Sequence, residues 1–127
     1  MILVDTHLLL WSALRSPRLS ARARTIIDDP DIEVFFSVAS IWEATIKRML
    51  GRKDFADDPR ALRQGLLANN WRELDVTGVH ALAVADLPPL HKDPFDRILL
   101  AQAKVEGMTL LTSDKLVAKY PGKVRKV

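Results

Sequence analysis

Short apolar runs alternate along this chain with longer segments of helical period. Met1–Val4 is an apolar run that stops at Asp5 and reads as a buried strand. Thr6–Leu14 has helical character, with Leu8, Leu9, Trp11 and Ala13 available for packing, and Ser16-Pro17 breaks it. Leu19–Ile27 predicts a second helix and Asp28–Asp31 a turn. Ile32–Phe36, β-branched and aromatic, predicts a second strand. Ala39–Leu50 gathers Ile41, Trp42, Ile46 and Met49 on an apolar helical face, which Gly51 stops. Asp54–Asp58 is polar and reads as a loop; Pro59 then opens a helix to about Ala68. Trp71–Leu74 predicts a third strand and Gly78–Ala85 a short helix ahead of Pro88-Pro89. In Pro94–Glu106, Phe95, Ile98, Leu99, Gln102 and Val105 follow the helical period, and Gly107 terminates it. Met108–Leu111 predicts a strand, Lys115–Ala118 a short helix, and Val124–Val127 a last edge strand after the Pro121-Gly122 turn.

Strands alternating with helices predict an α/β fold, a mostly parallel sheet with helices on both faces in a three-layer α/β/α sandwich. No repeat, low-complexity segment or linker interrupts it, so residues 1–127 are expected to form one domain. With 48% apolar and 28% charged residues the composition is that of an ordinary globular protein. Cysteine is absent, which excludes a disulfide scaffold and a thiolate zinc site. No apolar run is long enough to span a bilayer, and the N-terminus reaches Asp5 without a basic leader, so a cytoplasmic protein is expected. A net charge of +3 decides little. Its distribution is more informative, with basic clusters at Arg15–Arg24, Lys47–Lys53 and Lys115–Lys126. Such patches can hold a polyanion such as RNA, but for any single cluster a solvated face is the better reading.

Five acids stand where such a fold would gather them: Asp5, Glu43, Asp93, Asp96 and Asp114. Asp5 and Asp114 each follow an apolar strand, and ligands of parallel sheets bind beyond the carboxyl ends of strands. Both also suit helix caps. Glu43 completes a Ser-x-x-Glu capping box with Ser40, and taken alone that reading is the better one. Asp93-Pro94-Phe95-Asp96 is a helix-start signature in which the dipole keeps both acids ionised. Two carboxylates ~5 Å apart repel by about 3 kcal/mol at an effective dielectric of about 20. Four converging acids would therefore rival the ~5–15 kcal/mol stability of a whole domain, unless a cation or raised pKa values relieved them. All-oxygen donors favour Mg²⁺ or Mn²⁺. His7, His80 and His91 are too scattered for a zinc motif and read as surface or core residues. The glycines are isolated and form no phosphate loop, and no nucleophile elbow is present.

Val4-Asp5-Thr6-His7, Trp42-Glu43-Ala44, Asp93-Pro94-Phe95-Asp96-Arg97 and Leu111-Thr112-Ser113-Asp114, in this order and spacing, resemble the PIN domain over essentially the whole chain. The similarity is greatest to the VapC-type toxins of toxin–antitoxin pairs. That resemblance implies a five-stranded parallel sheet and a metal-dependent endoribonuclease using Mg²⁺ or Mn²⁺. It implies that the four catalytic acids are Asp5, Glu43, Asp96 and Asp114, with Asp5, Asp96 and Asp114 holding the metal and Glu43 completing the cage or orienting water. Asp93 is implied as an extra acid beside them, and Thr112 or Ser113 as the small hydroxyl next to the last acid. His7 departs from the Asn of many relatives, which bears on how Asp5 is held. The implied partners are a structured RNA substrate, a second copy in a homodimer, and a small antitoxin. The antitoxin's helix would fill an apolar groove and its basic side chain would enter the acidic pocket. Leu8, Trp11 and Trp42 are candidate groove residues, and core packing accounts for them equally well.

Two rival readings remain at this stage. An inactive PIN-like module would hold RNA or protein without cutting, but the retained acids disfavour it. A receiver-type signalling domain also places acids and Mg²⁺ at strand ends, yet it would want paired acids after the first strand, where Asp5 stands alone.

Overall fold

The computed structural model describes residues 1–127. Five strands form one sheet: β1 (Ile2–Val4), β2 (Val34–Ser37), β3 (Arg72–Leu74), β4 (Thr109–Thr112) and β5 (Val124–Lys126), in the order β3-β2-β1-β4-β5. Every pairing is parallel. Six α-helices connect or flank the strands: α1 (Thr6–Ala13), α2 (Ala21–Ile27), α3 (Val38–Met49), α4 (Pro59–Ala68), α5 (Gly78–Ala83) and α6 (Pro94–Glu106).

Alternation along the central strands divides the interior in two. Ile2, Val4, Val34, Phe36 and Leu111 pack on one face against Leu8, Leu9, Ala23, Phe55, Leu62 and Leu66. Leu3, Phe35 and Leu110 pack on the other against Leu99, Leu100, Ala103, Val117 and Tyr120. All three residues of β1 are buried because both faces of a central parallel strand are covered, which is why it reads as an unbroken apolar run. The expected three layers are present. β5 is a genuine fifth strand, with Leu110 opposite Val124 and Thr112 opposite Lys126.

Several boundaries differ from the sequence expectation. β2 runs into α3 without a loop, and Ser37 is the cap, accepting the Ala39 amide at 3.0 Å. The Ser40–Glu43 capping box is therefore absent. Ser40 lies inside α3, where its buried hydroxyl accepts from Thr6 Oγ1 at 2.9 Å. Lys115–Ala118 is a turn leading into a 3-10 segment at Val117–Lys119, the expected polar loop contains a 3-10 turn at Lys53–Phe55, and the helix at Gly78 closes as a 3-10 turn at Val84–Asp86. The Asp93–Asp96 signature is realised as expected: Asp93 accepts the Phe95 amide at 2.8 Å, Pro94 opens α6, and Gly107 ends it at φ +68°.

The strand order places the topological switch between β1 and β4. Successive connections step outward from β1 through β2 to β3, and the chain then returns to the other side of β1. The crevice beyond the carboxyl ends of β1 and β4 is where a parallel sheet offers a site.

Candidate active site

Asp5 and Asp114 leave adjacent strand ends, since Val4 stands opposite Leu111 and the Asp5 amide donates to the Leu111 carbonyl at 3.0 Å. The Asp5 carboxylate is buried and doubly held. Oδ1 accepts the Leu8 amide at 3.0 Å, capping α1, and Oδ2 accepts Thr112 Oγ1 at 2.6 Å. Thr112 Oγ1 in turn accepts the Asp114 amide at 3.0 Å, so one hydroxyl ties the two acid-bearing strand ends together. Burial pushes the Asp5 pKa up, opposed by the Thr112 hydroxyl and the amides of Leu8 and Ser113. Asp114 Oδ1 caps the turn that follows β4, accepting the Leu116 amide at 2.7 Å and the Val117 amide at 3.2 Å.

Asp96, in the first turn of α6, meets the same crevice. Burial raises its pKa to about 7, reinforced by repulsion from Asp93, Asp5, Glu43 and Asp114. The other four sequence-predicted acids thus act on this one carboxyl. Glu43 arrives from α3, 3% exposed, with Oε2 2.5 Å from Lys47 Nζ and Oε1 buried without a hydrogen-bond partner. Freed from the cap that the sequence implied, its side chain belongs to the acid cluster.

Three neighbours escaped the sequence reading. The scatter of the histidines predicts a surface or core residue at His91, yet its Nε2 lies 3.0 Å from Asp96 Oδ2. Ligand atoms of His91, Asp96 and Asp114 all fall within 4.8 Å of one another. His91 Nδ1 accepts the Asp93 amide at 3.1 Å, so the neutral ring carries its proton on Nε2 and faces Asp96 as a donor, not as a metal ligand. Arg97 donates to the carbonyls of Pro88 and Val84 at 2.9 and 3.1 Å and to Tyr120 Oη at 3.1 Å. Tyr120 Oη accepts the His91 amide at 2.8 Å, which fixes the segment presenting that histidine. Lys47 is the third. Only the Asp-Pro-Phe-Asp-Arg run hinted at any of them, through the position of Arg97. His80, by contrast, is a core residue whose Nδ1 accepts the Thr77 amide at the start of α5, and His7 is half-exposed, 3.4 Å from Asp54.

The donor set suits a hard cation. It consists of carboxylate oxygens, and burial together with their mutual repulsion holds Asp96 near half-protonation at neutral pH, while the unpartnered Glu43 Oε1 lies beside them. A sequence model of the PIN domain matches residues 2–123. The chain is a PIN domain. No curated protein shows significant sequence similarity to it.

Solved PIN-fold structures share its architecture at low identity. The complex VapBC2 from Rickettsia felis, bound to a promoter DNA fragment, superposes with a TM-score of 0.72 at 13% identity, covering 99% of this chain and 98% of that one. A toxin–antitoxin complex from Klebsiella pneumoniae gives 0.67 at 19% identity, with 99% and 97% covered. VapC20 of Mycobacterium tuberculosis, a sarcin–ricin loop cleaving toxin, gives 0.59 at 20% identity, with 95% and 97% covered. Of the proposed groove residues, Leu8 belongs to the core, Trp11 packs partly buried against it, and Trp42 is 60% exposed with its ring edge-to-face on Phe95. No helix of this PIN domain is long and apolar enough to cross a membrane.

Proposed function

We propose that this PIN domain is a metal-dependent endoribonuclease, the toxin of a toxin–antitoxin pair, acting in the cytoplasm on RNA. The observation that carries the reading is geometric: Asp5 and Asp114 leave adjacent strand ends tied by Thr112, and carboxylate oxygens of Asp114 and of Asp96 on α6 lie within 4.8 Å of one another. Such crowding has no structural benefit and fits capture of Mg²⁺ or Mn²⁺ by Asp5, Asp96 and Asp114. When bound, the ion supplies Lewis-acid polarisation of the phosphodiester and acidification of the attacking water.

The chain's own groups would do the remaining work. Thr112 and the Ser113 amide hold Asp5 in place, and Asp93 fixes the start of α6 and so the position of Asp96. Glu43 orients water and accepts its proton as the new P–O bond forms and the ribose oxygen departs. Exposed Arg125 and Lys126 close β5, with Lys126 opposite Thr112 at the carboxyl edge of the sheet, and suit backbone phosphates. The exposed Trp42 offers an anchor for an antitoxin helix, and structural likeness to toxin–antitoxin complexes supports that partner.

Purified protein incubated with structured RNAs should cut them in Mg²⁺ or Mn²⁺. Cleavage should stop with EDTA and in the Asp5→Asn variant. Binding without cleavage across several RNAs and both metals would replace this reading with an inactive binding module.

A further inference from the structure

The acidic crevice contains one cation of its own. Lys47 follows Glu43 by one helical turn on α3, and its Nζ lies 2.5 Å from Glu43 Oε2. Solvated glutamate–lysine pairs at this spacing are loose, because water competes for both ends. This pair differs: the side chains are only 16% and 4% exposed. The ammonium also stands 5.0 Å from the Phe55 ring centroid and 5.7 Å from that of Phe95. Aromatic faces attract an ammonium, so the charge is held on several sides. Phe55 is itself buried on the 3-10 turn at Lys53–Phe55, and Phe95 lies in the first turn of α6, one residue before Asp96. The lysine is thus fixed by the elements that frame the site, while Glu43 Oε1 stays unpartnered.

We propose that Lys47 is the resident second cation of the site. It neutralises Glu43 permanently, so the crevice takes a single divalent ion on Asp5, Asp96 and Asp114, and Glu43 is a positioning residue and not a ligand. Phosphodiester-cleaving sites commonly flank the reacting phosphorus with two positive centres. A lysine ammonium is a compact charge with three donors, and one of them is used by Glu43. The others remain available to a phosphate oxygen, which gives the second positive centre without a second ion. This inference rests on the nuclease reading above, which itself leaves the number of ions open.

Calorimetric titration with Mn²⁺, with bound ions counted by electron paramagnetic resonance, tests it on the full chain. Wild type should bind one ion. Lys47→Met keeps the stem packed and removes the charge. A monovalent and a divalent cation ~8 Å apart repel enough, even at the dielectric of water, to weaken binding about fivefold. Lys47→Met should therefore bind Mn²⁺ at least about fivefold more tightly or take a second ion, and Lys47→Arg should behave as wild type. Adding Glu43→Gln to Lys47→Met should abolish the gain. Glu43→Gln alone, which leaves Lys47 in place, should keep the ion, and loss of the ion there would mark Glu43 as a ligand and overturn the proposal. Two ions in wild type, or a folded Lys47→Met with unchanged affinity and stoichiometry, would also overturn it while leaving the nuclease reading standing. No ion in wild type would overturn both.

Discussion

Replacing Asp96 by Asn measures how strongly the acids crowd one another. The Asp96 carboxyl is pushed from 3.8 to about 7, chiefly by burial and then by Asp93, Asp5, Glu43 and Asp114. Because the folded value lies above the unfolded one, the protonated acid is favoured in the folded chain. The associated stability is fully present below the unfolded value of 3.8 and is lost as pH rises towards about 7. Roughly three pH units at about 1.36 kcal/mol each set a ceiling of about 4 kcal/mol. The side chain retains 20% exposure, and solvent screening reduces this to about 2 kcal/mol. Asn also forfeits a negative charge in the first turn of α6, which costs about 0.5 kcal/mol. Asp96→Asn should therefore stabilise the ion-free protein by about 1.5 kcal/mol at pH 8, and by about half of that at pH 5. Urea unfolding followed by tryptophan fluorescence in EDTA reads the difference. Millimolar Mg²⁺ should then stabilise wild type and leave the variant unmoved, since only a folded state that binds the ion gains from it. An Asn variant no more stable than wild type at pH 8, or equally stabilised at both pH values, would refute the electrostatic account of the crevice.

Thr112→Val removes the hydroxyl that links the Asp114 amide to Asp5 Oδ2. It should cost about 1–3 kcal/mol in denaturant unfolding and lower cleavage, while Thr112→Ser retains both; a neutral Val variant would show that the bridge holds nothing in place. Replacing Arg125 and Lys126 together by Ala should lower the salt slope of binding to single-stranded RNA by about 1.4, at about 0.7 per phosphate contact. Fluorescence anisotropy with the Asp5→Asn background in EDTA measures that slope, and an unchanged value would route the RNA elsewhere.

The sheet was legible because parallel strands covered on both faces are written as uninterrupted apolar runs, as in Ile2–Val4 and Leu110–Leu111. The acids at strand ends and in the Asp-Pro-Phe-Asp run were legible because their local signals, strand stop and helix start, coincide with their chemistry. Glu43 was harder. Its capping-box pattern is satisfied on paper by Ser40, but the strand passes into the helix at Ser37 and the competing cap takes over. His91, Arg97 and Lys47 were illegible for another reason. Their roles depend on contacts such as His91–Asp96 and Arg97–Tyr120 that exist only once α6, the Val84–His91 segment and the turn after β4 pack together. Lys47 meets Glu43 within one helix, yet its position beside Phe55 and Phe95 is set by tertiary packing alone.

The hydroxyl bridge from Thr112 to Asp5 joins residues 107 positions apart. During synthesis, the whole segment from β1 through Thr112 must leave the ribosome before β1 receives β4 as its neighbour. Until then Asp5 is without the threonine that steadies it and without Asp114 beside it. A growing chain is consequently unarmed until β4 has emerged, and a protein proposed to destroy RNA gains that capacity only with the strand that delivers Thr112 and Asp114.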